Sequence, residues 1–224
     1  MKVCTDATLF GAMMPIAAGD RVLDIGSGTG LLSLMAAQLG AGQVTGVELT
    51  SAAWEESQVN CGNSPWAERM QMIRQDIRDY AVSCTARYDL VISNPPFFQD
   101  HFQAQGQLRN TARHASLLPY ADLFRCASAL LKTGGLCYVL LPVHAADAFA
   151  GLASAAGLNL LQRIDIRGYT RNEPKVCSLV FGRQEGPCMT RLHTIYCQPR
   201  QYSAASAYYL APFLLRFSNA RTLH

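Results

Sequence analysis

The sequence predicts an α/β protein built on a doubly wound, mostly parallel seven-stranded sheet that ends in an antiparallel hairpin. Three observations lead to this expectation. Short aliphatic runs alternate with helical stretches from residue 20 onward, a glycine-rich turn follows the first run, and 50% of the 224 residues are hydrophobic. A chain of this size and composition can bury a substantial core. We expect one domain over residues 1–224, with an N-terminal segment at 1–19 and a C-terminal strand and helix extension at 183–224.

Seven runs rich in β-branched and aliphatic residues are predicted to be strands. They cover residues 21–25, 43–49, 70–74, 88–93, 136–141, 158–166 and 176–181. No convincing helix separates the last two runs, so we expect the final strand to run antiparallel after a loop at 168–174. The segment 192–196 is a further strand candidate in the tail.

Four stretches between these runs are predicted to be helices. They cover residues 31–39, 52–60, 120–131 and 145–156. In the third, Leu123, Phe124 and Ala127 begin an apolar pattern with helical spacing, which gives one face for packing on a sheet. A further helix is expected at 203–216, and the polar stretch 99–116 falls outside the alternating pattern.

The charge is divided unevenly along the chain. Residues 1–100 carry 6 basic and 11 acidic side chains (net −5), whereas residues 101–224 carry 13 basic and 5 acidic ones (net +8). The total of +3 is too small to mark the whole chain as a binder of polyanions. The second half alone has the sign that suits an anionic partner.

The cysteine pattern argues against metal and disulfide chemistry. The eight cysteines stand singly, without a C-x-x-C pair, at Cys4, Cys61, Cys84, Cys126, Cys137, Cys177, Cys188 and Cys197. We therefore expect reduced core residues and no metal site. The sequence shows no leader and no apolar run near the roughly 18 residues that span a bilayer, so a soluble, cytoplasmic protein without membrane attachment is expected.

A glycine loop follows the first predicted strand. Asp24 ends that strand, Gly26, Gly28 and Gly30 follow at alternate positions, and an aliphatic helix begins directly afterwards. Glycines let a ligand approach the backbone, and a helix N-terminus directs amide groups toward it. Glu48 ends the second strand, where an acidic side chain can bind a ribose diol. This context favours a nucleotide-type ligand over the alternative, a tight structural turn.

The D-x-G-x-G-x-G spacing resembles motif I of the Rossmann-like, class I methyltransferases. That resemblance implies S-adenosylmethionine as cofactor, with S-adenosylhomocysteine as product and no metal. It further implies that Asp24 and the glycine loop hold the methionyl end, that Glu48 holds the ribose, and that Asp76 with the Ile77 amide holds the adenine. The alternative for Asp76 is the N-cap of a short helix.

A second motif, formed by Asn94, Pro95, Pro96 and Phe97, follows the fourth predicted strand. The ends of strands one and four flank the cleft of a doubly wound sheet, so Asn94 is expected to face the ligand of the glycine loop. Proline lacks an amide donor, which leaves the carbonyl groups free to accept. We predict that Asn94 and Pro95 accept hydrogen bonds from a target amine and that Phe97 stacks on a planar substrate, a contact worth about 1–3 kcal/mol. The alternative is a rigid turn with a buried Phe97.

The N-P-P-F motif resembles the (D/N/S)-P-P-(Y/F/W) motif of amino-methyltransferases. Three further stretches, 1–6, 64–69 and 202–215, are similar to the bacterial tRNA adenine N6-methyltransferases that act at adenine 37, beside the anticodon of a valine tRNA. The resemblance implies that tRNA is the partner and that Thr5 and Asp6, within the segment 1–19, close over the cofactor. Cys4 stands where that family usually has glycine, and family members usually carry a short segment before this stretch.

The tRNA substrate is expected to contact Pro96 and Phe97 and the basic side chains Arg109 and Arg113. Further candidates for phosphate contacts are His114, Arg163, Arg167, Arg171, Lys175 and Arg183. We expect no obligate protein partner. Two alternatives remain open at this point: a protein-glutamine N5-methyltransferase that uses the same motif on a peptide amide, and a non-catalytic RNA-binding protein that retains the fold.

Overall fold

The computed structural model describes residues 5–96, 118–215 and 217. The helices are α1 (Thr5–Ala12), α2 (Leu31–Gln38), α3 (Ser51–Gly62), α4 (Ile77–Ser83), α5 (Tyr120–Leu130), α6 (Ala146–Ala155) and α7 (Ala204–Leu210). The strands are β1 (Arg21–Ile25), β2 (Gln43–Glu48), β3 (Met70–Arg74), β4 (Tyr88–Ser93), β5 (Leu131–Pro142), β6 (Asn159–Arg167), β7 (Val176–Gly182), β8 (Met189–Thr194), β9 (Tyr196–Gln198) and β10 (Gln201–Tyr202).

The central sheet has the strand order β3-β2-β1-β4-β5-β7-β6-β8. The first five strands in this order, β3, β2, β1, β4 and β5, are parallel. Strand β7 runs antiparallel between β5 and β6, and β8 is parallel to β6. The predicted doubly wound sheet and its antiparallel hairpin are confirmed. The predicted count of seven strands is wrong, because β8 from the tail adds an eighth strand at the edge.

The strands bury both faces, as a sheet covered by helices requires. On β5, Cys137 and Val139 join one apolar cluster with the inner sides of α4, α5 and α6. The intervening Tyr138 joins a second cluster with α1, α2 and α7, where its ring stacks on Phe10 at 4.3 Å between centroids. Because β1, β2, β4 and β6 are parallel, their C-terminal ends and the segments that follow them lie at the same edge of the sheet.

Three elements differ clearly from their predicted extent. Strand β5 begins at Leu131, five residues before the predicted 136–141. The tail helix α7 ends at Leu210, short of the predicted 203–216, because Pro212 has no amide hydrogen to continue the helical hydrogen bonds. The tail strand begins at Met189 and ends at Thr194, earlier than the predicted 192–196. The polar stretch 99–116 lies outside the described residues.

The described cysteines are free thiols, but only some belong to the core. Cys61, Cys126, Cys137 and Cys177 are buried, whereas Cys188 and Cys197 are exposed. The prediction of core positions is wrong for these last two, which lie in the tail beyond the main apolar strands. No helix in the described parts of the chain has the length and apolar character needed to cross a membrane.

Candidate active site

The glycine loop lies between the end of β1 and the start of α2. Gly26, Gly28 and Gly30 have φ angles of 70°, 55° and 85°, in the left-handed region that favours glycine. A Cβ on Gly30 would lie 3.0 Å from the Cys61 sulfur, whereas a Cβ on Gly26 would meet nothing within 4 Å. Gly30 is therefore needed for close packing, and Gly26 leaves open space beside the backbone.

Glu48, at the end of β2, is joined to this loop by hydrogen bonds. Its Oε2 accepts from the Gly28 amide at 3.0 Å, and its Oε1 accepts from the amide and hydroxyl of Thr50 at 2.9 and 2.8 Å. Carboxylate oxygens have two lone-pair positions each, so this arrangement leaves acceptor capacity for a ligand hydroxyl. The glycine loop after β1 and Glu48 at the end of β2 are thus held side by side at the same edge of the sheet.

Asp24 lies on β1, two residues before Gly26, and is 1% exposed. Its Oδ2 accepts from the Ser33 hydroxyl at 2.7 Å, while its Oδ1 has no hydrogen-bond partner among the described residues. Burial raises the pKa of the Asp24 carboxyl to about 7, although hydrogen bonds from Ser33 oppose the rise and the charge of Glu48 adds to it. A cationic group bound near this carboxyl would stabilise its ionised form.

The N-P-P segment begins directly after β4, beside the glycine loop. Ser93, buried at the last position of β4, donates its hydroxyl to the Ile25 carbonyl at 2.9 Å. This bond fixes the end of β4 against the end of β1. Asn94 and the two prolines follow it, whereas Phe97 lies outside the described residues.

A cavity of about 550 Å³ lies beside these features, although the predicted site residues Asp24, Gly28 and Gly30 do not line it. Seven residues predicted to form the site line it: Gly26, Glu48, Asp76, Ile77, Asn94, Pro95 and Pro96. The other walls are formed by Ile25, Val47, Leu49, Thr50, Gln75, Arg78, Ser93, Leu118, Pro119, Tyr120 and Leu123. Mostly apolar walls with a few convergent polar groups are typical of a ligand site.

Comparison with known proteins gives the chain its family. Residues 5–144 match the family model described as methyltransferase small domain. The tRNA1(Val) (adenine(37)-N6)-methyltransferase of Pectobacterium carotovorum is 38% identical over 207 residues, which cover 92% of this chain and 84% of the relative. This chain belongs to the tRNA1(Val) (adenine(37)-N6)-methyltransferase family.

Solved structures agree with this family at the level of the fold. A predicted O-methyltransferase of Agrobacterium tumefaciens superimposes with a TM-score of 0.66 at 15% identity and covers 97% of each chain. A second structure, assigned as a methyltransferase and complexed with SAH, gives a TM-score of 0.57 at 19% identity over 79% of this chain and 47% of its own. The fold seen here is thus shared with methyltransferase structures.

In this family member, Asp76 is the N-cap residue of α4. Its Oδ1 accepts from the Arg78 amide and from Nε at 2.8 and 3.0 Å, and its Oδ2 accepts from the Arg78 guanidinium at 2.5 Å. The hydrogen-bonded Arg78 side chain holds the pKa of the Asp76 carboxyl below its usual range. Asp76 therefore lies at the cavity as an ionised acceptor that Arg78 orients.

Thr5 and Asp6 open α1 and do not belong to the described cavity wall. Burial raises the pKa of the Asp6 carboxyl, and the charge of Lys175 opposes this rise. The Thr5 side chain is hydrogen-bonded to Tyr196. The structure thus places both residues near the tail and the β6–β7 loop, and their closure over a cofactor remains a prediction.

Two cavity residues, Arg78 and Tyr120, have contacts that the sequence did not indicate. Arg78 contacts Asp76 and lies 3.8 Å from Asp122 of α5, so it bridges two helix starts at the cavity. Tyr120 donates its hydroxyl to the Pro96 carbonyl at 3.0 Å. Neither belongs to a local motif. Arg78 lies in the first turn of α4, shortly after β3, and Tyr120 is the first residue of α5.

The basic residues predicted to contact tRNA differ in their environments. Arg163 pairs with Asp165 at 2.7 Å, and Arg183 donates to the Ser128 carbonyl at 2.7 Å, so both serve contacts within the fold. Arg171 and Lys175 are exposed in the loop that joins β6 to β7.

Arg171 lies 5.6 Å from the Tyr169 ring centre. Arg167 donates to the Thr194 hydroxyl at 2.9 Å. Arg109, Arg113 and His114 lie outside the described residues.

Proposed function

We propose that this chain transfers a methyl group from S-adenosylmethionine to the exocyclic N6 amine of adenine 37 in a valine tRNA. The observation that carries the proposal is one cavity that joins Glu48 and the glycine loop to Asn94 and the N-P-P backbone. Membership of the tRNA1(Val) (adenine(37)-N6)-methyltransferase family supports the same reaction. A tRNA substrate would place this activity in the cytoplasm.

The first half of the cavity fits the cofactor. The open space at Gly26 admits a ligand to the backbone, and Glu48 has spare acceptor capacity for ribose hydroxyls. The buried Asp24 carboxyl does not line the cavity, but its unpaired Oδ1 supplies negative charge that would favour an ammonium group bound at the loop. Asp76 and Ile77 line the same cavity, and we assign the Asp76 carboxylate to the adenine amine and the Ile77 amide to a ring nitrogen. When bound, S-adenosylmethionine supplies a sulfonium-activated methyl group.

The second half of the cavity fits a planar amine. The lone pair of an exocyclic amine is delocalised into the ring, which makes the nitrogen a poor nucleophile. Hydrogen bonds from its N–H groups to Asn94 Oδ1 and the Pro95 carbonyl would localise that pair and align the nitrogen for attack. No strong base is needed, because the nitrogen becomes far more acidic once methylated and loses its proton to solvent.

The tRNA must present its base at the C-terminal edge of the sheet. A single-stranded loop base can be unstacked and placed in a pocket at small cost. Arg171 and Lys175 lie at the same edge, since their loop follows β6, and both are exposed. They are our candidates for phosphate contacts in the described part of the chain.

A transfer assay with methyl-labelled S-adenosylmethionine and total tRNA tests this function. After nuclease digestion, we expect the label in N6-methyladenosine, with Asn94→Ala as the inactive control. Label on a protein glutamine instead would favour the N5-methyltransferase alternative. Cofactor binding by calorimetry without transfer to tRNA or protein would favour a non-catalytic protein.

A further inference from the structure

The N-P-P segment has few backbone groups through which the rest of the fold can hold it in place. Pro95 and Pro96 have no amide hydrogen, so this stretch cannot be held by the amide donors that fix most loops. Its carbonyl groups and the Asn94 side chain are the available polar anchors. Two of these groups, Asn94 Oδ1 and the Pro95 carbonyl, must remain free for the target amine under the proposed function, and the Pro96 carbonyl is the next polar group along the backbone.

Tyr120 holds the Pro96 carbonyl. Its hydroxyl donates to the Pro96 carbonyl at 3.0 Å across 24 residues of sequence. Burial raises the pKa of the Tyr120 phenol, so the group stays protonated and able to donate. The contact joins the end of the β4 segment to the first residue of α5.

Tyr120 is itself held by the core. Its ring packs against Phe149 of α6 with 4.3 Å between centroids, and Phe149 is 1% exposed. Phe149 also packs edge-on against Phe124, one turn along α5 from Tyr120, at 5.9 Å. The hydroxyl is therefore presented from a rigid aromatic group.

We infer that Tyr120 is a positioning residue, which fixes the Pro96 carbonyl and thereby holds the Asn94 and Pro95 acceptors in the geometry that aligns the target amine. This inference rests on the proposed function. The proline rings fix φ at both positions, so ψ is the main remaining freedom of each residue. A bond to the Pro96 carbonyl restricts that freedom next to the two acceptors.

The test compares Tyr120→Phe, which keeps the ring and removes the hydroxyl, with Tyr208→Phe on α7, away from the cavity wall. Under saturating tRNA and S-adenosylmethionine, we expect the single-turnover rate of Tyr120→Phe to fall about tenfold, between the roughly threefold effect of a lost neutral hydrogen bond and the roughly 100-fold effect of a 1 Å misplacement. Cofactor affinity and KM for tRNA should stay within about twofold, since the hydroxyl donates its hydrogen to the Pro96 carbonyl and the ring that lines the cavity is kept.

A second measurement does not need tRNA. In SAH-bound protein, NMR of the ¹⁵N-labelled Asn94 side-chain amide should show a shifted or broadened signal for Tyr120→Phe and an unchanged one for Tyr208→Phe. A merely structural role would lower thermal stability and leave the Asn94 signal in place.

The rate measurement and the NMR measurement distinguish a failure of the proposed function from a failure of the positioning role. Wild-type protein that fails to methylate tRNA contradicts the proposed function, and the NMR arm still decides whether Tyr120 positions the motif. If wild type is active, a Tyr120→Phe rate within twofold of wild type, or an unchanged Asn94 signal, overturns the positioning role. A matched loss of rate and shift of the signal supports it.

Discussion

The two halves of the cavity are built in different ways. On the cofactor side, residues singled out from the sequence bond to each other or to near neighbours in the chain: Glu48 accepts from Gly28 and Thr50, and Asp24 accepts from Ser33. On the substrate side, two prolines remove backbone donors, and the described anchor of Pro96 comes from Tyr120. The first half can therefore be recognised from short sequence motifs, whereas the second depends on residues that the fold brings together.

The largest expected effect comes from the substrate side. Asn94→Ala should reduce transfer by at least about 100-fold, the usual cost of losing a preorganised polar group that acts in the transition state. Cofactor affinity should change little, because Asn94 is expected to bind the target amine. Tritium transfer and calorimetry give the two readouts, with Asn159→Ala at the start of β6 as control. Transfer within threefold of wild type would remove Asn94 from the mechanism.

The cofactor side should respond in the opposite way. Glu48→Ala should weaken S-adenosylmethionine binding by about 1–3 kcal/mol, which is the cost of losing a charged hydrogen-bond partner. Glu55→Ala, an exposed glutamate of α3, is the matched control. Calorimetry measures both dissociation constants. An unchanged value for Glu48→Ala would mean that this carboxylate does not bind the ribose.

A smaller effect is expected where the tRNA backbone meets the β6–β7 loop. Arg171→Glu and Lys175→Glu should each weaken tRNA binding several-fold at low salt and reduce the slope of log affinity against log salt by about 1. Arg87→Glu, an exposed residue just before β4 at the opposite edge of the sheet, is the control. Binding isotherms at several salt concentrations provide the slopes. Slopes equal to that of Arg87→Glu would exclude this loop from the interface.

The smallest effect concerns Asp24 in the ligand-free protein. Its folded pKa, about 7, lies above the value of 3.8 for an unperturbed carboxyl, so its contribution to stability is complete below pH 3.8 and is lost as pH rises through 7. Between pH 6 and 8 this loss should be about 1 kcal/mol of unfolding free energy.

Urea unfolding at both pH values measures this change. The difference between wild type and Asp24→Asn isolates it from His193, whose pKa is lowered by burial. Asp147→Asn, at a fully exposed position, should behave like wild type. A wild-type pH dependence equal to that of Asp24→Asn would contradict the assigned pKa.

The strands that the sequence predicted correctly share one physical property. The inner strands are buried on both faces, so their apolar runs are continuous and easy to recognise. Helix α1 was not predicted, because its residues Leu9, Phe10 and Gly11 are buried in succession and leave no amphipathic pattern. The start of strand β8 was predicted three residues too late, at 192 instead of Met189, because an exposed edge strand carries few apolar residues.

The site residues, too, divide into those that the sequence could predict and those that it could not. Glu48 could be related to the glycine loop because the end of the second strand must lie beside the first in this fold. Tyr120 could not be related to Pro96, since 24 residues separate them and no periodic pattern joins them. For Asp76 the sequence left two interpretations, and the structure shows the N-cap contact with Arg78.

The central claim is methyl transfer to one adenine, and the amount of methyl bound to a valine tRNA transcript tests it most directly. We expect close to one methyl group per transcript with adenine at position 37 and none when guanine replaces it, with the product recovered as N6-methyladenosine in the anticodon-loop fragment. Equal methylation of both transcripts, or none of either by a protein that binds S-adenosylmethionine, would contradict the account.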